Sequence, residues 1–145
     1  MAHKPAYFYI QSAVIPYRWA HGGRDGRLEV LMITSLKKKR WIIPKGVQEP
    51  GLSPAASAAQ EAMEEAGVEG QVSKKPIGSY LYRKWGGTCH VLVYCLKVEI
   101  VHGTWAEDHR QREWVDLEAA IERTREEALK SLLRSVPDFL LAGSA

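Results

Sequence analysis

Apolar residues along this chain follow two rhythms, and the switch between them outlines the elements. From Tyr7 to Tyr17 aromatic and β-branched residues crowd together up to Pro16-Tyr17, the composition of a strand. The stretch His21-Gly22-Gly23-Arg24-Asp25-Gly26-Arg27 is turn chemistry, so Leu28 to Ser35 reads as the return strand of a hairpin. A short apolar run, Trp41-Ile42-Ile43, closed by Pro44, predicts a third strand. Ile77 to Arg83 and Thr88 to Ile100, with Gly86-Gly87 between them, predict two more, and Arg112 to Val115 a last short one. Between the third and fourth strands the period changes. After a loop from Lys45 to Leu52, Ser53 stands as an N-cap with Pro54 at the first helical position; an alanine-rich run follows to Ala66, and Gly67 stops it.

Helical signals return near the end. Asp116 is placed to cap a short helix through Ile121, and Thr124-Arg125-Glu126-Glu127 has the form of a capping box. Leu129, Leu132, Leu133 and Val136 then recur at i, i+3, i+4 and i+7, one apolar helix face. Strands, one helix, further strands and C-terminal helices together predict an α/β protein, a mixed sheet covered by helices on both faces. No linker and no internal repeat interrupts the pattern, so residues 1–145 read as a single domain.

Composition narrows the class. A chain of 145 residues, 46% hydrophobic and 26% charged, buries a sizeable core without disulfides. Cys89 and Cys95 lie inside an apolar run and read as reduced core residues. Met1 to Tyr9 lacks a basic segment followed by a long apolar one, and no stretch approaches the roughly 20 apolar residues of a membrane span. The expectation is a cytoplasmic protein with no membrane partner. A net charge of +3 is too small to argue for nucleic acid as a partner. The distribution of charge says more. Lys37, Lys38, Lys39, Arg40 and Lys45 form a basic block, and Glu61, Glu64, Glu65 and Glu69 an acidic one close behind. A basic block alone is usually a solvated turn; beside an acidic cluster it points towards phosphate plus a divalent metal.

On a helix Glu61 and Glu65 are one turn apart and project from the same face, with Glu64 at its border. Like charges at this spacing repel by a few tenths of a kcal/mol per exposed pair, roughly, and a bound cation offsets this. Mg²⁺ suits the set, with Mn²⁺ as a substitute, because it takes one or two carboxylates, keeps several waters and accepts phosphate oxygens. The competing interpretation is an acidic solvent-facing surface. The five histidines lack metal-ligand spacing, and Trp85, in a glycine-rich turn, reads as an exposed aromatic.

The loop ahead of the helix separates these interpretations. Gly46, Glu61, Glu64, Glu65, Gly67 and Val68, with Ala62 at an aliphatic position, stand in a register that resembles the Nudix box: a glycine, five residues, a glutamate, seven residues, then Arg-Glu-aliphatic-any-Glu-Glu-any-Gly-aliphatic. Two positions depart from it: Leu52 replaces the first glutamate and Gln60 the arginine. Both changes remove a charge, one of each sign, so neither strands a partner. Arg40-Trp41-Ile42-Ile43-Pro44-Lys45-Gly46 and Gln111-Arg112-Glu113-Trp114-Val115 are similar to the branch that acts on diphosphoinositol polyphosphates and diadenosine polyphosphates.

The resemblance, which runs from about Ala13 to Ile121, implies the Nudix α/β/α sandwich and hydrolysis of a diphosphate or polyphosphate linkage in a small phosphorylated substrate. It implies Glu61, Glu65 and the Gly46 carbonyl as metal ligands and Glu64 as general base, with Glu61 the alternative base. Lys37, Lys38, Lys39, Arg40, Lys45, Arg83, Lys84 and Arg110 are the expected substrate-binding cations. Two other functions fit the same residues: a catalytically weak module that binds a nucleotide or phosphate-rich ligand, and an RNA 5′-end pyrophosphohydrolase. Glu107 and Asp108, in the polar loop where some Nudix enzymes carry an extra carboxylate, are not assigned a role.

Overall fold

A computed structural model describes residues 8–20, 26–84 and 86–143. The predicted turn over His21–Asp25, the strand start at Tyr7 and Trp85 lie outside the described residues. Among the described residues eight strands pair into a mixed sheet: β1 (Phe8–Trp19), β2 (Leu28–Thr34), β3 (Trp41–Ile42), β4 (Lys45–Val47), β5 (Val68–Val72), β6 (Gly78–Lys84), β7 (Gly87–Val101) and β8 (Arg112–Asp116). β1 and β7 run parallel at the centre, in register from Phe8 with Thr88 to Tyr17 with Lys97. The other edge of β1 is shared: β4 pairs with Gln11 to Ala13 and β2 with Tyr17 to Trp19.

Period-2 alternation sends successive side chains to opposite faces, and both faces are covered. Ala13, Ile15 and Tyr17 of β1, Val30 and Met32 of β2, and Val91, Val93 and Cys95 of β7 pack beneath α2 (Leu117–Arg123), α3 (Glu127–Arg134) and α4 (Val136–Leu141) through Ala120, Leu129, Leu133, Val136 and Leu140. Val14, Leu31, Ile33, Tyr94 and Leu96 face the other way, against Ala58, Ala62 and Ala66 of the helical run that begins with α1 (Pro54–Glu61). Small alanines on that helix let it lie close to the sheet. The α/β/α sandwich expected from the sequence is the observed architecture.

Several local expectations need correction. The helix predicted through Ala66 is α-helical only to Glu61; Ala62–Ala66 is a π-helical turn, closed by Gly67 in the left-handed conformation. Lys45–Val47, expected as loop, is strand β4, because the shared edge of β1 offers it hydrogen-bond partners. Val68–Val72 was not anticipated as a strand, since its short polar pattern forms a ladder only against β7. The predicted capping box does not form: Thr124 ends α2, its hydroxyl donating to the Ala120 carbonyl, and α3 starts from Glu126 two residues later, with no side-chain cap. The last apolar face is split between α3 and α4 at Ser135, just before Pro137, whose ring cannot continue a helix from within. The Ser53 and Asp116 caps form as expected, accepting from the Ala56 and Ala119 amides.

Candidate active site

Strand β4 brings Gly46 directly beneath the helical carboxylates. Ser12 and Gly46 are cross-strand partners, and a side chain built on Gly46 would run into the Glu61 carboxylate. Any larger residue there would push the Glu61 carboxylate out of its place, which gives this motif position a steric reason. The neighbouring Lys45 amide donates to Glu65 Oε1 at 3.1 Å. Glu61 and Glu65 are both only 7% exposed, whereas Glu64 is half-buried and accepts a hydrogen bond from Gln60 at 2.7 Å. Gln60, where the family pattern carries arginine, therefore orients Glu64 as a neutral donor.

Burial pushes the Glu65 carboxyl up to about 8; Arg110 opposes this shift, and the neighbouring Glu61 adds to it. Burial likewise raises Glu61, against a hydrogen bond shared with Glu65. The pair retains a proton well above the usual carboxylate range. Two buried carboxylates that favour a positive counter-species fit a hard divalent cation. Alternation also puts Ser12 on the helix-covered face of Val14; its hydroxyl is fully buried and has no partner among the described residues. No three His, Cys, Asp or Glu side chains converge into a metal cage among the described residues.

The carboxylates are also held from the segment before β8. Arg110, 7% exposed, places Nη2 2.9 Å from Glu107 and 3.7 Å from Glu65, and donates to the Thr34 carbonyl. The π-helical turn is gripped through its backbone. The Glu107 amide donates to the Glu64 carbonyl at 3.0 Å, the Trp105 indole to that of Glu65 at 3.0 Å, and Arg112 to that of Ala66 at 2.8 Å. Arg112 stacks over Trp105 at 3.9 Å and also donates to the His102 carbonyl. Sequence reasoning missed Trp105 and Arg112 as parts of the site. The one available signal was a tryptophan inside an otherwise polar loop.

Two adjoining cavities open beside this centre. One, of about 410 Å³, is lined by Lys37, Lys39, Arg40, Lys84 and Arg110, together with Arg125, which the sequence reading did not single out. The other, of about 180 Å³, collects Arg40, Lys45 and Lys84 against Trp41 and Tyr80, with Glu126 paired to Arg40 at 2.9 Å. Burial lowers the Lys45 ammonium, which sits 4.3 Å above the Tyr82 ring. Lys38, in a left-handed turn conformation, and Arg83, exposed on β6, line neither cavity. Arg110 is engaged by carboxylates, which gives it the task of holding Glu65 beside its place in the cavity wall.

The NUDIX domain family model matches residues 20–136. Nudix hydrolase 13, mitochondrial, of Arabidopsis thaliana is 32% identical over 145 aligned residues, covering 87% of this chain and 72% of that protein. Diphosphoinositol polyphosphate phosphohydrolase 3-beta of Bos taurus is 34% identical over 97 residues, 64% of this chain and 58% of its own length. Among solved structures, a C. elegans Ap4A hydrolase binary complex aligns with a TM-score of 0.66 at 23% identity, over 92% of this chain and 98% of that one. A NUDIX hydrolase from Nitrosomonas europaea aligns with a TM-score of 0.71 at 16% identity, over 95% and 91%. Identities this low speak for the fold. The cytoplasmic expectation is overturned: Arabidopsis Nudix hydrolases 12, 13 and 16, each 32% identical to this chain, carry the designation mitochondrial. That expectation rested on the lack of a secretory or membrane signal, which does not choose among the remaining compartments.

Proposed function

The chain belongs to the NUDIX family of hydrolases, and from that premise we propose that it cleaves a diphosphate or polyphosphate linkage in a small, highly anionic substrate by Mg²⁺-assisted attack of water at phosphorus. The substrates in view are diadenosine polyphosphates, diphosphoinositol polyphosphates and nucleoside diphosphate derivatives, with residues 1–145 acting as one domain. The observation that carries this reading is the buried Glu61–Glu65 pair seated on Gly46 beside a cavity walled by cations.

Glu61, Glu65 and the Gly46 carbonyl would hold the ion. When bound, it neutralises the diphosphate and lowers the pKa of a coordinated water. Glu64 is the general base, with one oxygen fixed by Gln60 and the carboxylate left partly open to solvent; Glu61 is the alternative. Lys37, Lys39, Arg40 and Lys84 bind phosphates away from the reacting atom, and Arg110 keeps Glu65 in place.

The test is a hydrolysis screen with Mg²⁺ or Mn²⁺ across these substrates, nucleotide sugars and 5′-triphosphorylated RNA, repeated with Glu65→Gln. Turnover on a small polyphosphate, lowered at least ~100-fold in the variant together with metal affinity, is the expected result. Wild-type-like activity and metal binding in Glu65→Gln would refute the assignment. Leu52 favours a second reading, since the loop before α1 carries a half-buried leucine where the family pattern has a carboxylate. Tight binding without turnover in the same screen identifies a ligand-binding module.

A further inference from the structure

The end of any helix leaves its last carbonyls without intrahelical partners. Here Gly67 returns its amide to Met63 and Ala62, so the next three carbonyls, those of Glu64, Glu65 and Ala66, lie beyond the helix's own ladder. Each is taken by a donor from one segment: the Glu107 amide, the Trp105 indole and the Arg112 guanidinium, at 3.0, 3.0 and 2.8 Å. The His102 amide continues the series on the Gly67 carbonyl at 2.8 Å. The same segment grips Glu65 at its other end, through Arg110. Trp105 itself is fixed by the stacked Arg112, and Gly67 is in contact reach of both: a Cβ added there would lie 2.8 Å from each side chain.

We propose that Trp105 is a positioning residue for the metal-binding carboxylates, acting through its indole N–H on the Glu65 carbonyl to hold the π-helical turn. This rests on reading Glu61 and Glu65 as the metal site. A π-helical turn is wider than an α-helical one and short when it occurs, so tertiary partners must sustain it. Relaxing it to α-helical spacing rotates Glu64 and Glu65 relative to Glu61, which α1 holds over Gly46. With the Glu65 main chain tied to Trp105, its carboxylate stays on the Lys45 amide and beside Glu61, so the two carboxylates meet an ion already arranged.

The experiment uses the purified full chain without substrate. Mn²⁺ binding is followed by electron paramagnetic resonance in the wild type and in Trp105→Phe, which keeps an aromatic ring for Arg112 but loses the N–H donor along with the second ring. Losing one hydrogen bond should weaken Mn²⁺ binding roughly three- to tenfold. Turnover should fall at limiting metal and recover at saturating metal, with KM for the substrate unchanged. A melting temperature that falls while the Mn²⁺ affinity stays within about twofold of wild type would overturn the proposal, leaving Trp105 a purely structural residue. Failure of the wild type to bind Mn²⁺ would instead remove the metal-site reading, and this proposal with it. A second measurement needs no variant. In the ¹⁵N-labelled wild type, Mg²⁺ should shift the Trp105 indole N–H resonance and slow its exchange with solvent, and an indole signal indifferent to Mg²⁺ counts against the proposal.

Discussion

Glu65 shows how one side chain's surroundings set its behaviour. Its carboxylate accepts from the Lys45 amide, faces Arg110 and lies against Glu61, all in a setting that burial makes hostile to a second negative charge. In the metal-free protein burial pushes its pKa up to about 8, far above the ordinary carboxylate range, and that of Glu61 moves in the same direction. The folded state therefore keeps a proton that the unfolded chain has released. The contribution to stability is full below the unfolded value and is lost as pH rises through the folded one. The metal-free melting temperature should fall from about pH 5 to about pH 8, more steeply than that of Glu65→Gln, and added Mg²⁺ should restore it most at the alkaline end. Thermal melts in chelator, with and without Mg²⁺, check this. Parallel pH profiles for the two proteins would show that Glu65 carries no such linkage.

At the scale of the element, the run from Pro54 to Ala66 joins two kinds of helix in one face. The alanines seal it to the sheet, Ser53 closes its start, and Gly67 ends it at φ 67°. That left-handed conformation alone costs a residue with a side chain about 1–2 kcal/mol. A methyl group at Gly67 would also displace Arg112 and Trp105. Gly67→Ala is expected to lose at least this much stability by urea denaturation, and to lose metal affinity as well, because the displaced side chains hold the Glu65 and Ala66 carbonyls. Near-wild-type stability with unchanged Mn²⁺ binding would contradict both expectations.

Across the whole molecule, the sheet separates tasks. One face, with α2 to α4, builds most of the core and, through Tyr80, Glu126 and Leu129, walls the smaller cationic cavity; the other, with the helical run, carries the carboxylates. Lys37 and Lys39 are exposed at a cavity rim while Lys38 turns elsewhere, so the pair is the relevant substitution. Lys37→Ala with Lys39→Ala should raise KM roughly three- to tenfold on the preferred polyphosphate, with kcat little changed. The wild-type KM should rise with ionic strength more steeply than that of the double variant, since exposed charges are screened. Equal KM values and equal salt dependence would make this turn ordinary solvated surface.

By itself the sequence determined the layer architecture, the two side-chain caps and the group of glycine and glutamates at the candidate site. Each depends on local rules: alternation decides which face a strand residue takes, an oxygen beside a free amide makes a cap, and i, i+4 spacing stacks Glu61 over Glu65. Only the tertiary structure decided what those groups meet. Gly46 has its role because a carboxylate from fifteen positions further along the chain occupies its side-chain space, so any larger residue would push that carboxylate aside. Arg110, expected as a substrate ligand, lies buried between Glu107 and Glu65, and Thr124 leaves its predicted cap for the Ala120 carbonyl. Trp105 acquires a task forty residues away from its partner. The physical reason is common to all four. A charge or a hydrogen-bonding group is silent about its partner in the chain, because the partner is chosen by which groups the packed sheet brings within about 3 Å and shields from water.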